Sequence, residues 1–191
     1  MDGICCLIGL GNPGPKYSQT RHNAGAWFIE SLSRKFSTSL KLDTKRKANI
    51  GTVTIEGREC RLVIPETYMN ESGLPIRMIM DFYKLSPAQI LVAHDELDIM
   101  PGDIRLKKGG GHGGHNGLRD MFSHLSDQSF ARLRIGIGHP GDKNMVSNYV
   151  LKPPTTDDKI LIERSIDKAL NVVPQLVTDA WDKAVYQLHS T

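Results

Sequence analysis

The sequence predicts an α/β fold, a three-layer α/β/α sandwich around a twisted, mixed and mostly parallel sheet. Two observations carry this. Short unbroken apolar runs at 4–8 (ICCLI) and 90–93 (ILVA) have the length and composition of strands buried on both faces. Between them lie segments whose apolar residues recur at helical spacing, and strands that alternate with helices build a sheet covered by helices. At 191 residues, with no internal repeat and no low-complexity linker, the chain reads as one domain over 1–191.

The elements follow in order. After the strand at 4–8 comes a loop bent by Gly9, Gly11 and Gly14, then a helix over 23–35 marked by Trp27, Phe28 and Leu32. Residues 50–55 and 60–64 read as strands joined at Glu56-Gly57-Arg58, a hairpin signal. Ser72 is expected to cap a helix carrying Ile76, Ile79, Met80 and Tyr83, with Pro75 tolerated in its first turn. The run 90–93 delivers His94 and Asp95 to the C-terminal end of a strand. Ile104-Arg105-Leu106-Lys107 alternates, as in an edge strand with a basic outer face. A glycine run at 109–117 feeds a short helix over 117–125, and 133–137 is a further strand. Pro153-Pro154 marks a break, after which Ile160, Ile162, Ile166 and Val173 fit a helix ending near Pro174. Leu176, Ala180, Trp181, Ala184 and Leu188 then fit one last amphipathic helix.

Hydrophobic residues at 39% and charged residues at 24% are those of an ordinary globular protein, and no apolar run approaches the roughly 20 residues of a membrane span. The N-terminus has neither the basic flank nor the cleavage-like site of a signal peptide. Cys5, Cys6 and Cys60 are odd in number and form no C-x-x-C pair, which fits a reducing cytoplasm better than disulfides or zinc. The net charge of +3 says little about nucleic acid. The basic clusters Arg105/Lys107/Lys108 and Arg132/Arg134 matter more, because they flank a glycine loop.

Several chemistries can be weighed against the motifs. Gly9, Gly11 and Gly14 match G-x-G-x-x-G, but 15–19 lacks helical periodicity and no acidic residue closes a second strand about 20 residues on, so a dinucleotide site is disfavoured. The run 109–117 has no Gly-Lys-Ser/Thr, and there is no G-x-S-x-G elbow. His94, Asp95, Asp98, His112 and His115 offer metal-ligand atoms, yet H-E-x-x-H is absent and His112 and His115 lie in a loop. What remains is a metal-free hydrolytic site, in which an imidazole takes a proton from water while a carboxylate fixes its tautomer. His22 is the candidate base and Asp95 the candidate orienter. The amides of Asn12, Asn70 and Asn116 can hold the water and stabilise an oxyanion. Plainer readings stand beside these: Asn12 as a turn residue, Asn23 as a helix cap, Glu96 and Asp98 as surface carboxylates, Tyr68 and Met69 as packing residues.

Five segments, 9–25, 67–73, 92–98, 109–120 and 132–141, resemble in residue type, order and spacing the motifs of the bacterial-type peptidyl-tRNA hydrolases. Segments 36–60 and 155–191 add little to the match, and Ser126 stands where the family usually has a glycine after the helix. The resemblance implies a cytoplasmic, monomeric enzyme that cleaves the ester between a peptide and the 3′ end of tRNA, recycling tRNA dropped in translation, with no cofactor or metal. Carried over, His22 is the general base and Asp95 stabilises its orientation, while Asn12 is linked to telling N-blocked from unblocked aminoacyl-tRNA. Tyr17, Tyr68, Asn70 and Asn116 match substrate-binding positions, and Met69 and His115 line the cleft. Lys107 and Arg134 match a basic pair that grips tRNA phosphates. The competing reading, an RNA-binding module with a disabled site, is countered by the intact His22, Asp95 and asparagines.

Overall fold

The computed structural model describes residues 3–190. Its strands are β1 (Cys6–Gly9), β2 (Lys41–Asp43), β3 (Ala48–Ile55), β4 (Arg58–Pro65), β5 (Ile90–Glu96), β6 (Ile104–Lys108) and β7 (Ala131–Gly136). They form one seven-stranded sheet in the order β2-β3-β4-β1-β5-β7-β6. The helices are α1 (Ala24–Lys35), α2 (Gly73–Tyr83), α3 (Asn116–His124), α4 (Val146–Val150), α5 (Thr156–Leu170), α6 (Val173–Val177) and α7 (Trp181–His189). The sheet is mixed as predicted. Pairings β4–β1, β1–β5 and β5–β7 at its centre are parallel, and those at both margins are antiparallel.

The central strands are apolar without a break because both faces are covered. Side chains alternate: Leu7, Leu91 and Ala93 point to the layer holding Phe28, Ile162 and Leu176 of α1, α5 and α6. Ile8, Ile90 and Val92 point to the opposite layer, against Ile76 and Ile79 of α2 and Leu118 and Met121 of α3. β6 lies at the sheet edge with Arg105 and Lys107 exposed, as its alternation predicts; Lys108, on the opposite face, is exposed as well.

Three local expectations are corrected. Ser72 is itself helical in backbone and its hydroxyl donates to the Met69 carbonyl at 2.7 Å, while the Gly73 N–H at the start of α2 donates to Asp120 Oδ2 of α3 at 2.8 Å. The cap therefore comes from a neighbouring helix, which no local pattern reveals. Pro174 opens α6 rather than ending α5, its missing N–H costing nothing in a first turn. The single terminal helix is in fact α6 and α7, separated at Asp179, whose φ of 61° is left-handed. The short exposed β2 and the five-residue α4 carry no periodicity long enough to predict.

Glycine decides how closely the first helix approaches the sheet. A Cβ on Gly25 would lie 2.2 Å from the Ala93 carbonyl oxygen, and one on Gly9 2.2 Å from that of Gly25. Without side chains there, the start of α1 sits directly on the ends of β1 and β5.

Candidate active site

The site forms where β1 and β5 part. Their last shared bond runs from Leu10 N–H to the Ala93 carbonyl at 3.1 Å. The chain then turns away, and the Asn12 N–H donates instead to Asn23 Oδ1 at 2.9 Å, while Asn23 Nδ2 donates back to the Asn12 carbonyl at 3.0 Å. Asn23 makes no side-chain cap for α1, correcting the plainer expectation; it braces the Asn12 loop. Asn12 is more than a turn residue, since its Oδ1 accepts from the Met69 N–H at 2.7 Å. That bond identifies the amide oxygen and leaves Asn12 Nδ2 as a donor for the cleft.

His22 lies in a 3₁₀ turn, Arg21–Asn23, just ahead of α1. Its neighbour Arg21 is buried, donates to the Tyr149 carbonyl at 2.8 Å and lies 3.8 Å over the Tyr149 ring. This fastens α4, one wall of the cleft, to the turn that carries His22.

Asp95 is 4% exposed and each of its oxygens takes one imidazole. Oδ2 lies 2.8 Å from His22 Nδ1, and Oδ1 lies 2.8 Å from His115 Nε2. The proton positions follow from the partners. His115 Nδ1 accepts from the Gly117 and Leu118 N–H groups, capping α3, so the His115 proton is on Nε2 and is donated to Asp95. The carboxylate likewise requires a proton on His22 Nδ1, which leaves His22 Nε2 as a lone pair at the cleft. Burial pushes the His22 pKa down, but the charge and hydrogen bond of Asp95 outweigh it, and His22 titrates above the ordinary imidazole range. Burial alone would raise Asp95; His22 and His115 override it and hold the carboxyl well below the usual carboxylate range.

Among the described residues, His22, Asp95 and His115 bring ligand atoms within 4.8 Å of one another, the spacing a cation would need. Their chemistry does not favour one. Both carboxylate oxygens already accept N–H groups, and a metal at His115 Nε2 would have to displace its proton and uncap α3.

His22 borders two connected hollows. One is lined by Asn12, Tyr17, Met69, Asn70 and Asn116, with Val150 and Leu151 opposite. Tyr68 stands at this rim, 57% exposed and edge-on to Tyr17 with ring centroids 6.3 Å apart. Asn116 Oδ1 accepts from Arg119 at 3.3 Å, leaving its Nδ2 as a donor. The other hollow, of about 450 Å³, has Asp95, His115, Lys107, Arg132 and Arg134 on its walls. The structure therefore brings together all the site residues singled out in the sequence, with Tyr68 at the margin.

In the β6–β7 register Lys107 faces Arg132 and Arg105 faces Arg134, so all four basic side chains leave one face of the sheet. They differ in what they do. Arg132 is 4% exposed and donates to the Gly110 and Gly111 carbonyls, fixing the glycine loop over the cavity. Arg134 donates from Nε to Glu96 Oε1 at 3.0 Å. Glu96 is thus the partner of Arg134 rather than the free surface carboxylate expected. Sequence reasoning missed Asn23, Glu96 and the loop-holding role of Arg132. Only the alternation of β7 could have suggested that Arg132 and Arg134 share a face.

Comparison with known proteins adds independent findings. The family model described as peptidyl-tRNA hydrolase matches residues 6–191. A peptidyl-tRNA hydrolase of Azotobacter vinelandii is 50% identical over 191 residues, covering 100% of this chain and 98% of the relative. One from Marinomonas is 51% identical with the same coverage. The crystal structure of peptidyl-tRNA hydrolase from Acinetobacter baumannii superposes with a TM-score of 0.96 at 50% identity, covering 98% of this chain and 95% of that one.

Proposed function

Because this chain belongs to the peptidyl-tRNA hydrolase family and hydrolyses peptidyl-tRNA, we propose that it does so by general-base activation of water at His22, without a metal or other cofactor. The observation that carries this reading is Asp95 held between two imidazoles, which keeps the His22 proton on Nδ1 and a lone pair on Nε2 at the cleft.

In the proposed mechanism, water gives a proton to His22 Nε2 as its oxygen attacks the ester carbonyl, and Asp95 stabilises the imidazolium. The negative charge on the former carbonyl oxygen is met by donors from Asn12 Nδ2 and Asn116 Nδ2. The tetrahedral intermediate collapses, the ribose 3′-oxygen leaves with the proton from His22, and free tRNA and peptide acid result. An ester has a good enough leaving group for this without a covalent nucleophile. Asn70 and Tyr17 bind the peptidyl end, Met69 and His115 shape the cleft, and Tyr68 offers a face on which a base or side chain can rest. Excess chelator is expected to leave turnover of N-acetyl-aminoacyl-tRNA unchanged; loss of turnover restored by a divalent metal would overturn the metal-free reading.

Lys107 and Arg134 are proposed to neutralise phosphates of the tRNA acceptor end, an interaction that positions the substrate without reading sequence. Lys107→Ala and Arg134→Ala should each raise KM more than they lower kcat. Each should also flatten the dependence of log affinity on log salt by about 1 for every phosphate no longer neutralised. An unchanged salt slope would place the tRNA elsewhere.

The enzyme is further proposed to act as one domain and as a monomer in the cytoplasm. All its proposed catalytic groups come from one chain, and among the described residues Cys5, Cys6 and Cys60 form no disulfide and no helix is long and apolar enough to cross a membrane.

A further inference from the structure

His94 is a histidine that the mechanism above does not use. It is 2% exposed and sits on β5 next to Asp95. Its Nδ1 lies 2.9 Å from the Asp95 main-chain carbonyl, so Nδ1 is the protonated nitrogen and the donor. Its Nε2 is buried with no partner, an uncompensated loss of hydration at a position where an aliphatic side chain would incur none.

The strand geometry explains what that first hydrogen bond does. Carbonyls alternate in direction along β5. That of Ala93 points to β1 and accepts from Leu10, and that of Glu96 points to β7 and accepts from Ile137. The Asp95 carbonyl therefore points to the β1 side, one step beyond Ala93. In a continuing ladder the Asn12 N–H would meet it, but that group is taken by Asn23. The parting of the strands that opens the active site thus strips the catalytic carboxylate's own backbone of its sheet partner.

We propose that His94 is a positioning residue, whose Nδ1–H replaces the lost β1 amide at the Asp95 carbonyl and so fixes the Asp95 carboxylate between His22 and His115. The groups facing it are Asp95 and Glu96 on its own strand, Arg134 opposite on β7, and His115 at the start of α3, its ring 5.2 Å away. Burial first, and then the electrostatic influence of the neighbouring His115 ring, hold His94 at a pKa of about 4, so the donor stays neutral while the enzyme works.

This inference rests on Asp95 orienting His22, and the test separates the two. Turnover of N-acetyl-aminoacyl-tRNA is measured against pH for wild type, Asp95→Asn, His94→Leu, His94→Asn and His94→Gln, with folding checked by circular dichroism. Asparagine can place an amide donor near the position of Nδ1, whereas glutamine places it near Nε2. His94→Leu and His94→Gln should lower kcat about 10-fold, part of the roughly 10²–10⁴ that a positioned base supplies, with little change in KM. Their acid limb should move to lower pH as His22 loses the full influence of Asp95. His94→Asn should recover most of the rate and the wild-type limb. Wild-type behaviour of the Leu variant, or equal impairment of Asn and Gln, overturns the role of His94. If the Leu variant does not fold, the Asn–Gln comparison decides alone. An Asp95→Asn enzyme with wild-type rate and limb would overturn the base assignment and this inference together.

Discussion

His22→Ala is expected to lower turnover of peptidyl-tRNA by roughly 10²- to 10⁴-fold, the usual contribution of a positioned general base. Binding of tRNA should change little, because the basic residues on β6 and β7 are untouched. The fold should survive, since His22 occupies a turn anchored independently by Arg21 and Asn23. Release of free tRNA from N-acetyl-aminoacyl-tRNA, measured beside a filter-binding assay, checks both halves. Equal turnover by the folded variant would remove His22 from the mechanism.

Asp95→Asn should be nearly as damaging and should change the pH profile as well. The carboxylate accepts N–H groups from both His22 and His115, whereas an amide can accept only one and must present its own N–H to the other. The His115 tautomer is held by the α3 cap, so the amide nitrogen faces His22 Nδ1 and drives its proton to Nε2. That proton occupies the lone pair needed to activate water, and a loss approaching about 10⁴-fold is the magnitude seen when a triad carboxylate is so replaced.

The signs of the pH effects differ for rate and stability. The neutral form of His22 is the base, so the rate is full above its pKa and is lost as pH falls through it. With Asp95 present that pKa is raised; in the variant the burial effect is unopposed, and the acid limb should move down. Stability runs the other way for His22. A raised pKa contributes stability below the ordinary imidazole value, lost as pH rises through the folded value. Asp95, whose pKa is depressed, contributes above the ordinary carboxylate value and loses that contribution as pH falls. The Tm difference between wild type and Asp95→Asn should therefore be larger at pH 5 than at pH 8. The reverse order would contradict the ion pair.

The sequence by itself determined the layered α/β arrangement, because an unbroken apolar strand such as 90–93 can be accommodated only when both its faces are covered. It also brought together the first glycine loop and the end of β5, because both follow parallel strands and open at one end of the sheet. The 109–117 run leaves antiparallel β6 beside Ala131 at the other end, and only the tertiary structure carries it back to the site. Beyond the expected pairing of Asp95 with His22, tertiary structure decided how those residues act on one another. The pairings that matter join His22 to Asp95 across 73 positions, Asp95 to His115 across 20 and Arg134 to Glu96 across 38. Local periodicity reports burial, not partners, so Asn23 reads as a cap until β1 is seen to swing Asn12 toward it. For the same reason Ser72 reads as a cap until Asp120 is seen to supply that bond from α3. Hydrogen bonds are short and directional, and the partner each side chain finds is set by where the folded backbone leaves a donor or acceptor unpaired.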